Sequence, residues 1–249
     1  MKQVYGYSRA KVVILVGPPG SGKGTQAALI SSALGIATIS TGEMLRRECQ
    51  SGSALGRSVQ TILASGQLVS DELMNQVISS RLREAECQRG FILDGYPRTV
   101  SQARFLSRLL TDLGLPHPVV FHFDISNEDV VSRLTRRLQC AECGRIFSMN
   151  SHLMNGDSAD CGMLCDRDGS KLIHRADDNV VSIRERLRLF EENAARLTGY
   201  YRNRRCHRIC ANRGPQEISN ELLTILRSHA SAPILPGRAS AASQLSYSV

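Results

Sequence analysis

Short apolar runs alternate with amphipathic stretches along the first half of the chain. Four runs of strand length are rich in β-branched and other apolar residues, which predicts buried strands. They span residues 11–16, 36–39, 91–93 and 119–125. Between these runs, apolar residues recur with helical spacing, which predicts helices at 24–34, 40–69, 71–86, 100–113 and 127–138. Because strands alternate with helices, we predict an α/β fold with a mainly parallel sheet.

The longest amphipathic stripe lies towards the C-terminus. Apolar residues recur every three or four positions, as in one face of a helix, at Val180, Ile183, Leu187, Phe190, Ala194, Leu197 and Tyr201. Asp177 and Asp178 precede the stripe, where we expect carboxylates to favour the helix dipole. We also expect a last strand at 206–210 and a last helix at 218–227. The tail from Ser228 is rich in Ser, Ala and Pro, and we expect disorder there.

Residues 139–174 interrupt this alternation and indicate an inserted module. They contain four of the eight cysteines, at Cys140, Cys143, Cys161 and Cys165. In a reducing compartment such clustering favours a metal site over disulfides, and two thiolates separated by two residues can share one tetrahedral ion. A segment of this size cannot bury enough apolar area to fold alone, so a structural ion has a physical purpose here.

The charge balance favours anionic ligands. Lys and Arg number 31 against 23 Asp and Glu, a net charge of +8, which suits nucleotides, nucleic acids or acidic membranes. Aromatic residues are only 5%, too few for the stacking platforms that bind single strands. No apolar run approaches the ~20 residues that span a bilayer, and the first ten residues lack a signal-peptide apolar region. We therefore expect a cytoplasmic protein, with an organelle address left open.

A glycine-rich segment follows the first predicted strand. Residues 17–25 read GPPGSGKGT and contain the pattern G-x-x-x-x-G-K. Glycines let successive backbone N–H groups surround a phosphate, and the next helix adds its positive N-terminal end. Lys23 supplies a point charge for the β- and γ-phosphates. The general pattern has Ser or Thr directly after the lysine, whereas here Gly24 intervenes before Thr25.

Asp94 is the second chemical anchor. It stands at the carboxyl end of a predicted strand, the edge where open α/β sheets bind ligands. A lone aspartate there is more often a turn former. Beside a phosphate loop, however, the favoured interpretation is a ligand for Mg²⁺, directly or through water.

Three further segments carry a resemblance. Residues 40–46 read STGEMLR, residues 90–98 read GFILDGYPR and residues 175–178 read RADD. Together with the loop at 17–25, and in this order, they resemble the adenylate kinase family in its long-lid form, over roughly residues 11–228. The resemblance implies a P-loop NTPase-type parallel sheet flanked by helices, with a helical insertion that binds the nucleoside monophosphate (NMP) and a small zinc-bearing lid.

The resemblance also implies an activity and a domain organisation. The family transfers the terminal phosphoryl group of ATP to AMP, giving two ADP, and its lid closes over ATP. The implied organisation is an extension at 1–10, a core at 11–39, 70–135 and 179–228, an NMP-binding segment at 40–69, a lid at 136–178 and a tail at 229–249. The implied ligands are ATP, AMP or ADP and Mg²⁺, in a monomer without nucleic-acid or membrane partners.

Site residues follow from the matching motif positions. The resemblance implies an ATP site at Gly20, Ser21, Gly22, Lys23, Gly24, Thr25, Arg133 and Arg137. It implies an AMP site at Thr41, Arg46, Gln67, Leu68, Val69, Gly95, Arg98, Gln102, Arg175 and Arg186. Phosphoryl transfer needs positioning and charge neutralisation more than a nucleophile. This requirement fits the five cations implied at the reaction centre, which are Lys23, Arg98, Arg137, Arg175 and Arg186.

The resemblance implies four zinc ligands in the lid, namely Cys140, Cys143, Cys165 and Asp168. Cys161 is a rival for the fourth position because Zn²⁺ prefers thiolate, and a lid without metal is the alternative. His207, which lies near Cys206 and Cys210, is a weaker metal candidate. Ser40 and Glu43 have the spacing of a capping box, so Ser40 has a structural interpretation as well.

Two alternative functions stay open at this stage. The first is a kinase for another pair of nucleotides, such as GTP with AMP, because donor choice is poorly encoded. The second, from a different class, is a zinc-ribbon nucleic-acid binder with a vestigial nucleotide site. The scarcity of aromatic residues and the position of the cations in kinase motifs favour phosphoryl transfer.

Overall fold

A computed structural model describes residues 11–51, 53–65, 67–149 and 164–231 of the chain. Its centre is a parallel sheet of five strands, which confirms the predicted α/β class. The sheet has the order β2-β3-β1-β4-β8, formed by β1 (Lys11–Val16), β2 (Ala37–Ser40), β3 (Gly90–Asp94), β4 (Val119–Asp124) and β8 (Cys206–Cys210). The strands run where the apolar runs predict them, within one or two residues.

Helices surround this sheet. They are α1 (Lys23–Leu34), α2 (Thr41–Gln50), α3 (Ala54–Ala64), α4 (Asp71–Leu82), α5 (Val100–Asp112), α6 (Asn127–Thr135), α7 (Val180–Tyr201) and α8 (Pro215–Ser231). Short 3₁₀ turns lie at Ala85–Arg89 and Ala176–Asp178. Within the described residues, no helix has the length and apolar character needed to cross a bilayer.

Both faces of the central sheet are covered, as its continuous apolar strands require. On one face Leu15 and Phe121 share a buried cluster with Ile30 of α1 and Leu222 of α8. On the other face Leu93 belongs to a second cluster, which includes residues of α4, α5 and α7. The sheet is thus packed between two apolar clusters. The carboxyl ends of its strands form the edge that carries the loops of the candidate site.

The helix predicted over 127–138 ends early. It stops at Thr135, and β5 (Arg137–Cys140) pairs in antiparallel fashion with β6 (Ile146–Ser148) and β7 (Leu172–Ile173). The alternation in β5 explains the error, because Leu138 and Cys140 are buried while Arg137 and Gln139 are half-buried. Residues 139–174 are thus a small sheet in their described part, whereas Cys161 lies outside the described residues.

Three expectations about helix ends also change. Asp177 and Asp178 do not lie in the first turn of α7, because they form the preceding 3₁₀ turn and Asn179 caps the helix by accepting a hydrogen bond from Ser182 N. Ser40 makes no side-chain capping bond to α2. Residues 228–231 of the expected tail continue α8, and the rest of the tail and the extension at 1–10 lie outside the described residues.

Candidate functional site

The glycine-rich loop at residues 17–22, which we call the phosphate loop, connects β1 to α1 at the carboxyl edge of the sheet. It requires glycine for close approach, since a Cβ at position 17 would lie 2.8 Å from Cβ of Phe123 and 2.9 Å from Oγ of Ser21. Gly22 caps α1 with a φ of 91°, a left-handed conformation that glycine adopts without strain. The loop therefore presents backbone N–H groups beside a helix N-terminus, the arrangement that binds phosphate.

Lys23 folds back over this loop. Its Nζ donates hydrogen bonds to the carbonyls of Gly17 and Pro18, at 2.8 and 2.6 Å, and lies 3.2 Å from Oγ of Ser21. Desolvation lowers the pKa of Lys23 to about 8, although the nearby Asp94 carboxylate opposes the shift. The ammonium group is thus held by the polar groups of the loop itself.

The end of β3 joins this loop to the segment that follows β2. The Asp94 carboxylate lies against the start of α1, within 3.5 Å of where a Cβ on Gly24 would stand. Thr41 Oγ1 donates to the carbonyl of Gly95 at 3.1 Å. Gly95 has a φ of 80°, and a side chain there would put its Cβ 2.9 Å from that hydroxyl. The predicted ATP and AMP sides therefore meet at β3.

Gln102, which is expected on the AMP side, is buried and belongs to a partly buried hydrogen-bond network. Its Oε1 accepts from the backbone N–H of Arg98 at 2.7 Å, and its Nε2 donates to Asp71 at 2.7 Å. Arg98 Nε in turn donates to the carbonyl of Gly95 at 2.9 Å. The Gln102 side chain therefore contacts the backbone of Arg98. Of the expected adenine-lining stretch, Gln67 is exposed, Leu68 half-buried and Val69 buried.

Arginines from the lid and from α7 converge on two aspartates. Arg137 of β5 makes a bidentate pair with Asp178, at 2.7 and 2.5 Å, and the Asp178 side chain is only 1% exposed. Arg186 of α7 binds the Asp177 carboxylate at 3.0 Å and Asp178 at 3.4 Å. Arg175 reaches Gln139 at 2.5 Å. The 3₁₀ turn at 176–178 therefore fixes the lid arginines relative to α7.

Electrostatics join all of these groups into one cluster, which we call the cationic cradle. Within the described residues we define it by six cations and three carboxylates, each of which interacts with at least one other member: Lys23, Arg46, Arg98, Arg137, Arg175 and Arg186 with Asp94, Asp177 and Asp178. Arg46 also interacts with Glu43, outside this set. Desolvation, reinforced by neighbouring guanidinium groups, lowers the pKa of Arg98 to about 10 and of Arg175 to about 9. Cations exceed carboxylates, so bound polyanions would relieve their repulsion.

Arg133 of α6 contacts the connection between β8 and α8. Its guanidinium donates to the carbonyl of Ala211 at 2.8 Å, and Gln26 of α1 donates to the carbonyl of Pro215, also at 2.8 Å. The connection between β8 and α8 therefore contacts both α6 and α1. Sequence reasoning did not select this connection, because no motif there distinguishes it from an ordinary loop.

The four residues that the resemblance implies as zinc ligands lie close together, and their rival Cys161 lies outside the described residues. One ligand atom each from Cys140, Cys143, Cys165 and Asp168 can be chosen so that all lie within 4.8 Å of one another. The sulfurs of Cys143 and Cys165 are 3.6 Å apart, and Cys140 Sγ lies 3.4 Å from an Asp168 oxygen. A hydrogen bond from the backbone of Ser170 lowers the pKa of Asp168, which keeps this carboxylate anionic.

Asp178 is the candidate site residue whose contacts sequence reasoning missed. Because Asp178 precedes a predicted helix, we expected its carboxylate to interact with the dipole of that helix. Instead, it is buried between Arg137 and Arg186. A carboxylate is rarely buried unless it is paired. The available signal was its place in the RADD segment among arginines expected to bind phosphate.

Comparisons with known proteins agree with this geometry. A family model described as adenylate kinase matches residues 15–206. A protein named adenylate kinase from Pseudothermotoga lettingae is 42% identical over 192 residues, which cover 77% of this chain and 86% of that protein. An adenylate kinase from Thermosipho melanesiensis is 37% identical over 218 residues, or 86% of this chain and 99% of its own. One from Archaeoglobus fulgidus is 38% identical over 192 residues, covering 77% and 86%.

Proposed function

This chain belongs to the adenylate kinase family, and we propose that the cationic cradle is where it carries out the family's reaction. The enzyme is a nucleoside monophosphate kinase that reversibly transfers the terminal phosphoryl group of ATP to AMP, giving two ADP. The observation that carries the proposal is the convergence of phosphate loop, β3, lid and α7 on one cluster of cations.

The ATP side is built on the phosphate loop. Residues 20–25 would bind the phosphates through backbone N–H groups and the Lys23 ammonium. The Asp94 carboxylate beside Gly24 offers the hard oxygen ligand that Mg²⁺ prefers. Mg²⁺ bound with ATP neutralises part of the phosphate charge. Arg133, held against the carbonyl of Ala211, would lie along the adenine.

The AMP side is the segment at 40–69 together with the turn after β3. Arg46 and Arg98 would bind the AMP phosphate, because their desolvated guanidinium groups interact with the same charges that surround Lys23. The Gln102 amide, fixed by Asp71 and by Arg98 N, would position Arg98 and border the adenine pocket. No side-chain nucleophile is required, because the AMP phosphate itself attacks the terminal phosphorus of ATP.

The lid arginines would complete the site when the lid closes. Arg137 lies on the lid sheet, which is formed by β5, β6 and β7, and Arg175 follows β7. A rigid movement of the lid would therefore carry both guanidinium groups towards the transferred phosphoryl. Asp178 holds Arg137 beside Arg186, so both guanidinium groups would already be in position to bind the phosphates. Closure would also exclude water, which favours transfer to AMP over hydrolysis.

The lid cluster fits a tetrahedral structural zinc ion. Sulfurs bound to one Zn²⁺ at about 2.3 Å stand roughly 3.8 Å apart, close to the 3.6 Å between Cys143 and Cys165. The four residues come from two turns at one end of this sheet, one that follows β5 and one that precedes β7, so one ion would tie these turns together. The ion would have a structural role, because the cluster belongs to the lid sheet rather than to the cradle.

Turnover with defined nucleotides tests the assignment. Purified enzyme with Mg·ATP and AMP is expected to form ADP, and GTP as donor and GMP, CMP and UMP as acceptors should be compared at the same concentrations. Lack of ADP formation from ATP and AMP in a folded, magnesium-supplied sample would contradict the assignment. Faster turnover with another pair would redefine the substrate while keeping the reaction class.

Substituting Cys143→Ser is expected to reduce the zinc content from about one ion per chain towards zero and to lower the melting temperature, because the lid sheet depends on the ion. Cys210→Ser is the matched control, since Cys210 is also exposed but lies on β8, outside the lid. Metal analysis and thermal unfolding give the two readouts. Equal zinc content in all three proteins would contradict the proposed ligand set.

Binding of Mg·ATP is expected to weaken as pH rises through and above 8. The pKa of Lys23 is lowered to about 8 by desolvation, so the free enzyme loses this charge in that range, whereas bound phosphates favour the charged form. Calorimetry at pH 7 to 9.5 in two buffers of different ionisation enthalpy measures affinity and proton uptake together. Constant affinity without proton uptake near pH 8 would contradict the placement of Lys23 on the phosphates.

A further inference from the structure

Two histidines meet on the side of the core, outside the cradle and the lid. His207 lies on β8 and His229 lies in the last turn of α8, 22 residues further along the chain. Their Nε2 atoms are 2.8 Å apart, and their ring planes are inclined at 60° with centroids 5.1 Å apart. Both side chains are partly accessible to solvent.

The fold holds the two rings in place. The His207 and Phe121 rings pack with their centroids 5.8 Å apart. Ile209, two residues after His207 on β8, is buried with Leu222 and Leu226 of α8. These apolar contacts fix the distance between β8 and α8, and with it the approach of the imidazoles. Cys206 packs into the cluster on the opposite face of the sheet, so it does not join the pair.

We propose that His207 and His229 form a second metal site, for a divalent ion such as Ni²⁺, Cu²⁺ or Zn²⁺ that is bound by imidazole. Two nitrogens on one ion at about 2.0–2.1 Å stand roughly 3.3 Å apart in tetrahedral geometry. The pair would have to open by only about half an ångström from its present 2.8 Å. Imidazole suits ions of this class, whereas Mg²⁺ and Ca²⁺ require oxygen.

The pair supplies two ligands, and solvent would supply the others. Within the described residues, the lid cluster is the one group of three or more metal-binding side chains. Both rings are partly exposed to solvent, so water can reach an ion bound between them. An ion here would tie α8 to the sheet, and α8 begins at Pro215, whose carbonyl is bonded to Gln26 of the helix that follows the phosphate loop. The site would therefore stabilise the core rather than take part in phosphoryl transfer.

Titration of the full-length enzyme with NiCl₂, after loading with zinc, tests the site. Equilibrium dialysis with metal analysis measures Ni²⁺ bound and Zn²⁺ retained, and thermal unfolding measures the effect of Ni²⁺ on the melting temperature. His229→Asn and His207→Asn are expected to weaken Ni²⁺ binding by at least the ~10-fold that loss of even an outer-shell partner causes. His117→Asn is the control, because His117 is exposed in the loop before β4.

The two interpretations of the pair give different results. Binding of Ni²⁺ with a raised melting temperature in the wild type and His117→Asn, and loss of both effects in His229→Asn, supports the site. Equal Ni²⁺ binding in all variants, or none in the wild type, overturns it and leaves a hydrogen bond between two neutral rings. His229→Asn decides the matter even if His207→Asn fails to fold, because His229 lies at the end of α8. None of these readouts depends on kinase activity.

Discussion

Lys23→Met is expected to reduce kcat for ADP formation roughly 10³-fold or more, in line with other groups that neutralise transferred phosphate. A loss of that size equals about 4 kcal/mol of transition-state stabilisation. Methionine has a similar length but no charge, so it keeps the packing at the start of α1 while removing the ammonium group that lies over Gly17 and Pro18. Initial rates with saturating Mg·ATP and AMP provide the measurement.

The matched control for this variant is Lys171→Met. Lys171 is exposed in the lid and lies outside the cradle, so its loss removes the same charge from the chain without touching the proposed phosphate site. Its rate should equal that of the wild type. A Lys23→Met enzyme that is folded, by circular dichroism and melting temperature, yet turns over at a near-wild-type rate would refute the role of the phosphate loop.

Arg186→Ala is expected to lower kcat by roughly 10³-fold, the lower end of the range for an arginine that stabilises a phosphoryl transition state. Arg186 binds both Asp177 and Asp178 and interacts electrostatically with Arg98 and Lys23, so its guanidinium belongs to the centre of the cradle. Arg186→Lys should recover only part of the rate, since a lysine keeps the charge but loses the planar fork that binds two phosphate oxygens.

Arg184 on the same helix offers a close control. It is exposed to solvent two residues before Arg186, on a different face of α7. Arg184→Ala should therefore retain the wild-type rate. Because Asp178 keeps its bidentate pair with Arg137 in the Arg186 variants, we expect their folding to survive, and their melting temperatures check this. Equal losses in the Arg184 and Arg186 variants would indicate a general charge effect instead of a specific site.

The parallel sheet was predictable because its strands are short, apolar and bounded by turns. Residues 11–16 and 91–93 carry no polar side chain in their interior, and only a strand covered on both faces suits that pattern. The phosphate loop was predictable for a different reason, since its glycines are required by close contacts such as that between position 17 and Phe123. Both features are local in sequence, so the sequence alone reveals them.

The features that escaped prediction depend on contacts between distant segments. The strand at 137–140 continued a helical pattern in sequence and becomes a strand by pairing with 146–148 and 172–173. Asp178 is buried in an ion pair with Arg137, 41 residues earlier. Likewise, no pattern in the sequence brings His229 to His207. Such contacts follow from the packing of α7 and α8 on the sheet, which periodicity alone does not specify.

The most direct measurement is a crystal structure with Mg²⁺ and a bisubstrate analogue in which two adenosines are joined through a pentaphosphate chain. The account predicts that the phosphate chain lies among Lys23, Arg98, Arg137, Arg175 and Arg186, with one adenosine beside Arg133 and the other beside Gln102. Phosphates bound elsewhere, or these side chains turned away from the bridging oxygens, would contradict it.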